Sequence, residues 1–202
     1  WQLGWKSATR LIERHRQEEG AWPRRLAISA WGTANMRTGG DDLAQVLALM
    51  GVQPTWDQSS RRVTGFEILP LSVLDRPRVD VTLRVSGFFR DAFPHQIDLI
   101  DSAARAVAEL DEPPEQNPLA AQVTADAATA RQRAGHRVFG SKPGAYGAGL
   151  QALFDEKGWD GDGDLARAYL AWGGYAYGGG SAGTAEHGLF SERLGAVEGV
   201  VH

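Results

Sequence analysis

Two short stretches of this sequence place arginine, carboxylate and hydroxyl side chains directly behind strand-like segments. One is S-G-F-F-R-D-A-F-P (Ser86–Pro94), and the other is G-T-A-N-M-R-T-G-G-D-D (Gly32–Asp42). Arginine binds carboxylates through a planar fork, whereas aspartate and histidine accept protons. The two stretches are therefore candidates for carboxylate recognition and for acid–base chemistry.

Each stretch lies between a predicted strand and a predicted helix. Leu26–Trp31 is a nearly continuous apolar run, which is typical of a strand covered on both faces. Val79–Val85 alternates apolar with polar residues, which predicts a strand with one buried face. Apolar residues then recur at helical spacing, from Leu43 to Met50 and from Phe93 to Leu110. The order strand, polar loop, helix therefore occurs twice.

Alternating strands and helices predict an α/β fold: a mostly parallel sheet with helices on both faces, followed by a helical extension. We expect the α/β domain over residues 1–112 and the mainly helical extension, with glycine-rich loops, over residues 113–202. The carboxyl ends of parallel strands meet at one edge of a sheet, where ligands bind. The predicted site at this edge combines Thr33, Arg37, Thr38, Asp41 and Asp42 from the first loop with Ser86, Arg90, Asp91 and His95 from the second.

Within the extension, the sequence predicts helices separated by glycine-rich loops. A helix begins at Asn117-Pro118 and runs through an alanine-rich stretch to about Gly135, and a last helix covers Ala185–Val201. Gly140–Gly149 contains four glycines but lacks the spacing of a phosphate-binding loop. Gly178–Gly183 is expected to be a flexible connector or a backbone clamp on a ligand.

Several candidate residues also have a purely structural explanation. Thr38 or Asp41 is of a type that caps a following helix, and Asp91 is placed to cap the helix that begins near Pro94. His95, in a first helical turn, is of a kind that commonly lies on the surface. Residue type alone leaves both explanations open.

Composition excludes several classes of function. The 202 residues contain no cysteine, which excludes disulfides and thiolate chemistry, and the net charge of −4 gives no electrostatic case for nucleic acid or an anionic membrane. No apolar run reaches the roughly 20 residues that span a bilayer, so we expect a cytoplasmic protein. The five histidines lack metal-ligand spacing, and we expect no tight metal site. Because the chain begins at Trp1, we expect it to be a segment of a longer protein.

Four strings of residues resemble one known family. They are W-G-T-A-N-M-R-T-G-G-D-D (Trp31–Asp42), R-P-R-V-D-V-T-L-R-V-S-G-F-F-R-D-A-F-P (Arg76–Pro94), V-F-G-S-K-P-G-A-Y-G-A-G (Val138–Gly149) and Y-L-A-W-G-G-Y-A-Y-G (Tyr169–Gly178). In this order they resemble the carboxyl-terminal half of the large subunit of aerobic cobaltochelatases, which are relatives of magnesium chelatases. The likeness covers nearly the whole chain and favours the cobalt branch.

The resemblance implies a metal chelatase. In that family the large subunit binds a tetrapyrrole, and two smaller subunits, one of them an AAA+ ATPase, supply the work of ATP hydrolysis. In the cobalt branch Co²⁺ is inserted into hydrogenobyrinic acid a,c-diamide during vitamin B12 synthesis. Co²⁺ is then a substrate, ATP with Mg²⁺ is used by the partner subunits, and the remainder of the large subunit completes the site. We expect the isolated segment to be inactive.

The residues suit such a ligand, which is a large apolar ring edged with carboxylates and amides. Metal insertion removes protons from the ring nitrogens and therefore requires a base near the ring centre. We expect ring stacking by Trp31, Phe88, Phe89 and Tyr146, carboxylate pairing by Arg37, Arg84 and Arg90, further substrate contacts by Thr33, Thr38, Ser86, Ser141 and Lys142, and proton acceptance by Asp41, Asp42, Asp91 or His95.

Three other functions stay open. The segment is a docking module for the ATPase subunits without a ligand site of its own, or it belongs to the homologous porphyrin-binding subunit of magnesium chelatase. The third is a nucleotide-sugar or dinucleotide domain, against which the missing phosphate fingerprint counts.

Overall fold

The computed structural model of the protein describes residues 1–124, 135–156 and 158–202. Its strands are β1 (Arg25–Ala30), β2 (Val52–Trp56), β3 (Val63–Ile68), β4 (Asp80–Val85), β5 (Val138–Gly140), β6 (Tyr175–Gly178), β7 (Ser181–Ala185) and β8 (Val200–Val201). Its helices are α1 (Gln2–Glu19), α2 (Gly32–Thr38), α3 (Asp41–Met50), α4 (Leu71–Leu74), α5 (Gly87–Ala92), α6 (Pro94–Ala108), α7 (Pro118–Thr124), α8 (Gln151–Glu156), α9 (Asp162–Gly173) and α10 (His187–Gly195).

Within the described residues, six strands form one sheet in the order β7-β6-β5-β4-β1-β8. Strands β5, β4, β1 and β8 run parallel to one another. Strands β6 and β7 are added antiparallel next to β5. Strands β2 and β3 form a separate antiparallel hairpin. The predicted α/β class with a mostly parallel sheet is therefore confirmed.

Strand β4 lies in the middle of the sheet and is buried on both faces. Its apolar side chains, such as Leu83, join the larger core with residues of α1, α3 and α6. Asp80, Thr82 and Arg84 are buried on the opposite face, where Arg193 of α10 donates to Thr82 and the ring of Tyr169 in α9 lies against Arg84. The prediction of one buried face was wrong, because the helices of the second half cover the polar face.

Both stretches predicted as polar loops contain short helices, α2 and α5. Trp31 precedes α2, and Ser86 caps α5 by accepting the N–H of Phe89 at 3.1 Å. The same hydroxyl accepts the N–H of Gly32 at 3.2 Å, so that it joins the beginnings of both helices. A side chain at Gly32 would overlap the Phe88 ring. The loop prediction was wrong because glycine and polar residues conceal these helices of only seven and six residues.

The second half of the chain adds strands β5–β8 to the same sheet, as well as helices. These strands are two to five residues long, too short for a reliable period, and the sequence analysis missed them. Gly178–Gly183, predicted to be a flexible connector, contains the tight turn between β6 and β7, with positive φ at Gly178, Gly179 and Gly180. The last helix ends at Gly195. Most of the predicted alanine-rich helix lies outside the described residues, and the division at residue 113 stays a prediction.

Buried arginines hold much of this architecture together. Asp80 accepts hydrogen bonds from Arg137 Nε at 2.5 Å and from Arg193 Nη2 at 2.9 Å. Burial raises the pKa of Asp80, but the two guanidinium groups outweigh it and lower the pKa to about 2. Arg78 forms a bidentate pair with Glu112 and also donates to carbonyls at the end of α3. In the described ranges, no helix is both long and apolar enough to cross a membrane.

Candidate functional site

The carboxyl ends of four parallel strands meet at one edge of the sheet. Trp31 follows β1, Ser86 follows β4, Ser141 follows β5 and His202 follows β8. The prediction that the segments following β1 and β4 lie at the same edge is confirmed, because the Ser86 N–H donates to the Ala30 carbonyl at 3.0 Å. This edge is the position at which open α/β sheets bind ligands.

Three half-exposed aromatic rings surround this edge. The exposed fractions are 37% for Trp31, 42% for Phe88 and 60% for Tyr146. Each ring therefore presents surface on which a planar apolar ligand could stack. Phe89 does not: it is fully buried and packs on Phe93 at a centroid distance of 5.2 Å. The predicted stacking role of Phe89 was wrong, since its place in the first turn of α5 turns it into the core.

Arg90 positions the segment behind β5. Its Nη1 donates to the carbonyl oxygens of Ser141 (3.1 Å), Lys142 (2.8 Å) and Ala145 (3.1 Å), and its Nε and Nη2 bind both carboxylate oxygens of Asp91 at 2.6 and 2.8 Å. These bonds occupy the donors that a substrate carboxylate would need. The predicted pairing of Arg90 with substrate is therefore not available in this arrangement.

Asp91 is held by neighbours that weaken it as a base. Its hydrogen bonds from Arg90 lower its pKa, burial opposes this shift, and the Tyr146 hydroxyl, which donates at 2.7 Å, lowers it further. The same hydrogen bond raises the pKa of Tyr146. Asp91 does not cap α6 either, since Phe93 is the residue that precedes that helix. Asp91 instead links Arg90 to Tyr146 and holds the exposed ring in place.

The remaining predicted contacts of this segment divide between buried and exposed side chains. Ser141 is buried, and its hydroxyl donates to the Ala145 carbonyl at 2.6 Å. The Tyr177 hydroxyl donates to the Ser141 carbonyl at 2.5 Å. The Lys142 side chain is exposed on the same segment. Ser141 and Ser86 therefore serve the local structure, whereas Lys142 is free to meet a ligand.

The residues of the first stretch lie on α2 and at the beginning of α3. Thr33 and Arg37 are exposed on α2. The Thr38 hydroxyl accepts the N–H groups of Gly40 and Asp41 at 3.3 and 3.4 Å, but Gly40 is the N-cap residue of α3, so neither Thr38 nor Asp41 caps that helix. Asp41 and Asp42 occupy the first turn of α3. Burial, and then the charge of Asp41, raise the pKa of Asp42.

His95 lies near the β2–β3 hairpin. It is exposed on α6 and lines a groove of about 690 Å³ between α3, α6 and the β2–β3 hairpin. Because α5 ends before α6 begins, Asp91 and His95 do not share a helix face. No three His, Asp or Glu side chains of the described ranges are grouped closely enough to bind a metal, and the expected lack of a tight metal site stays a prediction.

Sequence reasoning missed three residues at the edge. The Tyr169 ring centroid lies 5.4 Å from Arg84 Cζ, and Trp172 Nε1 donates to the Gly147 carbonyl at 3.2 Å. The His202 ring meets the Trp31 ring edge to face, with centroids 5.6 Å apart. The string Tyr169–Gly178 contains the first two, but spacing alone did not place α9 over the sheet.

The fold and the site define the class: an α/β protein with a polar and aromatic ligand edge at the ends of its parallel strands. The family model described as CobN/Magnesium Chelatase matches residues 1–202, and the chain therefore belongs to that family. It is 61% identical over its full length to the aerobic cobaltochelatase subunit CobN of Sinorhizobium sp, and 56% identical to that of Pseudomonas aeruginosa.

A magnesium-chelatase subunit from Chlorobaculum parvum is 35% identical over 95% of the chain. Among solved structures, the catalytic subunit of cobaltochelatase from Mycobacterium tuberculosis matches 96% of the chain with a TM-score of 0.91 and 50% identity. The chain spans only 16% and 17% of the two CobN relatives, and 17% of that solved chain. It is a fragment of such a subunit.

Proposed function

We propose that this chain forms one wall of the tetrapyrrole site in the large subunit of a cobaltochelatase. The observation that carries the proposal is the ring of half-exposed Trp31, Phe88 and Tyr146 at the sheet edge. A tetrapyrrole presents a broad apolar face, and aromatic side chains bind such faces by offset stacking. The relatives are cobaltochelatase and magnesium-chelatase subunits by name, which supports a metal-chelatase role here.

Cobalt is the metal that the relatives favour. Identity to the cobaltochelatase subunits is 61% and 56%, against 35% to the magnesium-chelatase subunit of Chlorobaculum parvum. The proposed reaction is insertion of Co²⁺, as substrate, into the corrin hydrogenobyrinic acid a,c-diamide in cobalamin biosynthesis. The enzyme would then be a ligase that forms nitrogen–metal bonds. An AAA+ ATPase subunit and its companion would use ATP with Mg²⁺, the remainder of the large subunit would complete the site, and the location would be the cytoplasm. The fragment alone would be inactive.

Between the two candidate aspartates whose pKa is shifted, Asp42 has the more suitable environment for a base. A general base works best when its pKa lies near the working pH. Burial and Asp41 raise the pKa of Asp42, whereas Arg90 and Tyr146 lower that of Asp91. Asp42 is therefore preferred to Asp91 as the acceptor of a ring N–H proton, with Asp41 and His95 as the remaining candidates, and Asp91 is a positioning residue for Tyr146.

Tetrapyrrole binding by the full-length large subunit tests the wall. Trp31→Ala should weaken binding about tenfold, because loss of one stacked ring removes roughly 1–1.5 kcal/mol. The matched control is Trp56→Ala, since Trp56 is 42% exposed but lies on the β2–β3 hairpin. Binding is measured by titration of the tetrapyrrole absorbance. Equal affinities for wild type and Trp31→Ala would place the wall elsewhere.

The second candidate, a docking module for the ATPase subunits, is favoured by the groove beside the hairpin. Its lining includes apolar residues of α3, α6 and β3, among them Leu47, Leu99 and Phe66. The same two variants separate the candidates. If Trp56→Ala abolishes capture of the ATPase subunits while Trp31→Ala leaves tetrapyrrole binding intact, the docking function is supported in place of the wall.

A further inference from the structure

Arg84 is a buried arginine whose charge has no counter-ion in the described part of the chain. Its residue is 5% exposed. The guanidinium lies between two rings, with Cζ 5.8 Å from the Trp31 centroid and 5.4 Å from the Tyr169 centroid. Nη2 donates a long hydrogen bond of 3.4 Å to the Gly147 carbonyl, and Nε has no acceptor.

The other buried arginines of the described residues are each paired with a carboxylate. Arg78 binds Glu112, Arg90 binds Asp91, and Arg137 and Arg193 both bind Asp80. In Arg78 and Arg90 the Nε–Nη2 edge of the guanidinium holds both oxygens of the carboxylate. The same edge of Arg84 holds only the distant Gly147 carbonyl, so neither of its nitrogens binds a carboxylate of the described residues.

Such an arrangement is costly unless a ligand completes it. A buried charge without a partner destabilises the folded state, and a protein that keeps one commonly does so for function. The position supports this reading, because Arg84 is the penultimate residue of β4 and therefore lies next to the ligand edge. Its neighbour in the sheet is Ser29 of β1, and the Trp31–His202 ring pair stands beside it.

We propose that Arg84 binds a carboxylate of the ligand, through a bidentate pair formed at its Nε–Nη2 edge. A single guanidinium between aromatic rings fits a monoanionic carboxylate carried by an apolar ring better than a phosphate, which takes several donors. This inference rests on the proposed function, in which the ligand is a tetrapyrrole with carboxylate side chains. It assigns to Arg84 the pairing that sequence reasoning divided equally among Arg37, Arg84 and Arg90.

The test compares a tetrapyrrole that has free carboxylates with its neutral methyl ester, both titrated into the full-length large subunit. Wild type should bind the acid about 10 to 100 times more tightly than the ester, as one charge-assisted bidentate pair allows. Arg84→Met and Arg84→Gln should abolish that preference, and Arg84→Lys should keep only part of it. Arg10→Met, at an exposed position on α1, is the matched control and should retain the full preference.

The outcomes separate this inference from the function on which it rests. If wild type binds acid and ester equally, or if both Arg84→Met and Arg84→Gln retain the preference, the anchor is wrong while the tetrapyrrole wall stands. If wild type binds neither compound, the proposed function fails and this anchor fails with it. Circular dichroism of each variant verifies that lost preference does not reflect lost folding.

Discussion

The two ends of strand β4 each carry a buried charged residue, and only the one at the beginning of the strand is ion-paired among the described residues. At its beginning, Asp80 is clamped between Arg137 and Arg193, which come from distant parts of the chain. Near its end, Arg84 lies equally deep between two aromatic rings, with no carboxylate partner among the described residues. Three residues of one strand therefore separate an ion-paired carboxylate from an arginine without a carboxylate partner among the described residues.

On this one face of the sheet, the Asp80 end of β4 stabilises the fold, whereas the Arg84 end is available for ligand binding. The Asp80 cluster ties α10 and β5 to β4, and its hydrogen bonds hold the second layer of helices in place. The Arg84 end lies where strand ends and aromatic rings meet, and its charge remains for a ligand. Each prediction below perturbs one end and leaves the other intact.

The largest effect is expected for Asp80→Asn. The substitution removes the carboxylate that Arg137 and Arg193 share, and breaking a buried ion pair in this way costs about 3–5 kcal/mol. The measurement is the free energy of unfolding in urea. Asp111→Asn, the same chemical change at an exposed position, serves as the control. A loss below about 1 kcal/mol for Asp80→Asn would show that the cluster does not hold the helical layer.

Lowering the pH should also weaken the Asp80 cluster, with a smaller loss of unfolding free energy than Asp80→Asn causes. The pKa of Asp80 is lowered from 3.8 to about 2 in the folded protein. A lowered carboxyl pKa contributes stability above its ordinary value, and this contribution is lost as the pH falls from about 4 to about 2. The loss amounts to about 2 kcal/mol of unfolding free energy.

Other carboxylates, including Asp57 and Asp91, also have lowered pKa values and add to the acid slope of the wild type. The Asp80 contribution is therefore taken as the difference between the slopes of wild type and Asp80→Asn over pH 2–4. Parallel slopes would mean that folding does not lower the pKa of Asp80, and the contrast between the two ends of β4 would then disappear.

The sequence predicted the shared edge of the sheet better than the roles of the residues on it. Apolar periodicity located β1 and β4, and parallel pairing followed from the intervening helices. The burial of Asp80 was beyond such reasoning, because its partners lie 57 and 113 residues further along the chain. The sequence also cannot tell the role of Arg84 from that of Arg90. Only the folded structure shows that Arg90 binds the carboxylate of Asp91 and carbonyl groups behind β5, whereas Arg84 binds no carboxylate of the described residues.

The smallest effect is expected at the open end, from Arg84→Met. Removal of an unpaired buried charge, with most of the side-chain volume kept, should leave the free energy of unfolding unchanged or raise it by about 1 kcal/mol. Arg78→Met is the matched control, since Arg78 is equally buried but paired with Glu112, and it should destabilise the protein. Both are measured by thermal unfolding without ligand. Destabilisation of Arg84→Met to the extent of Arg78→Met would mean that the fold itself satisfies Arg84, whereas a stable variant would mean that the charge is kept for what binds there.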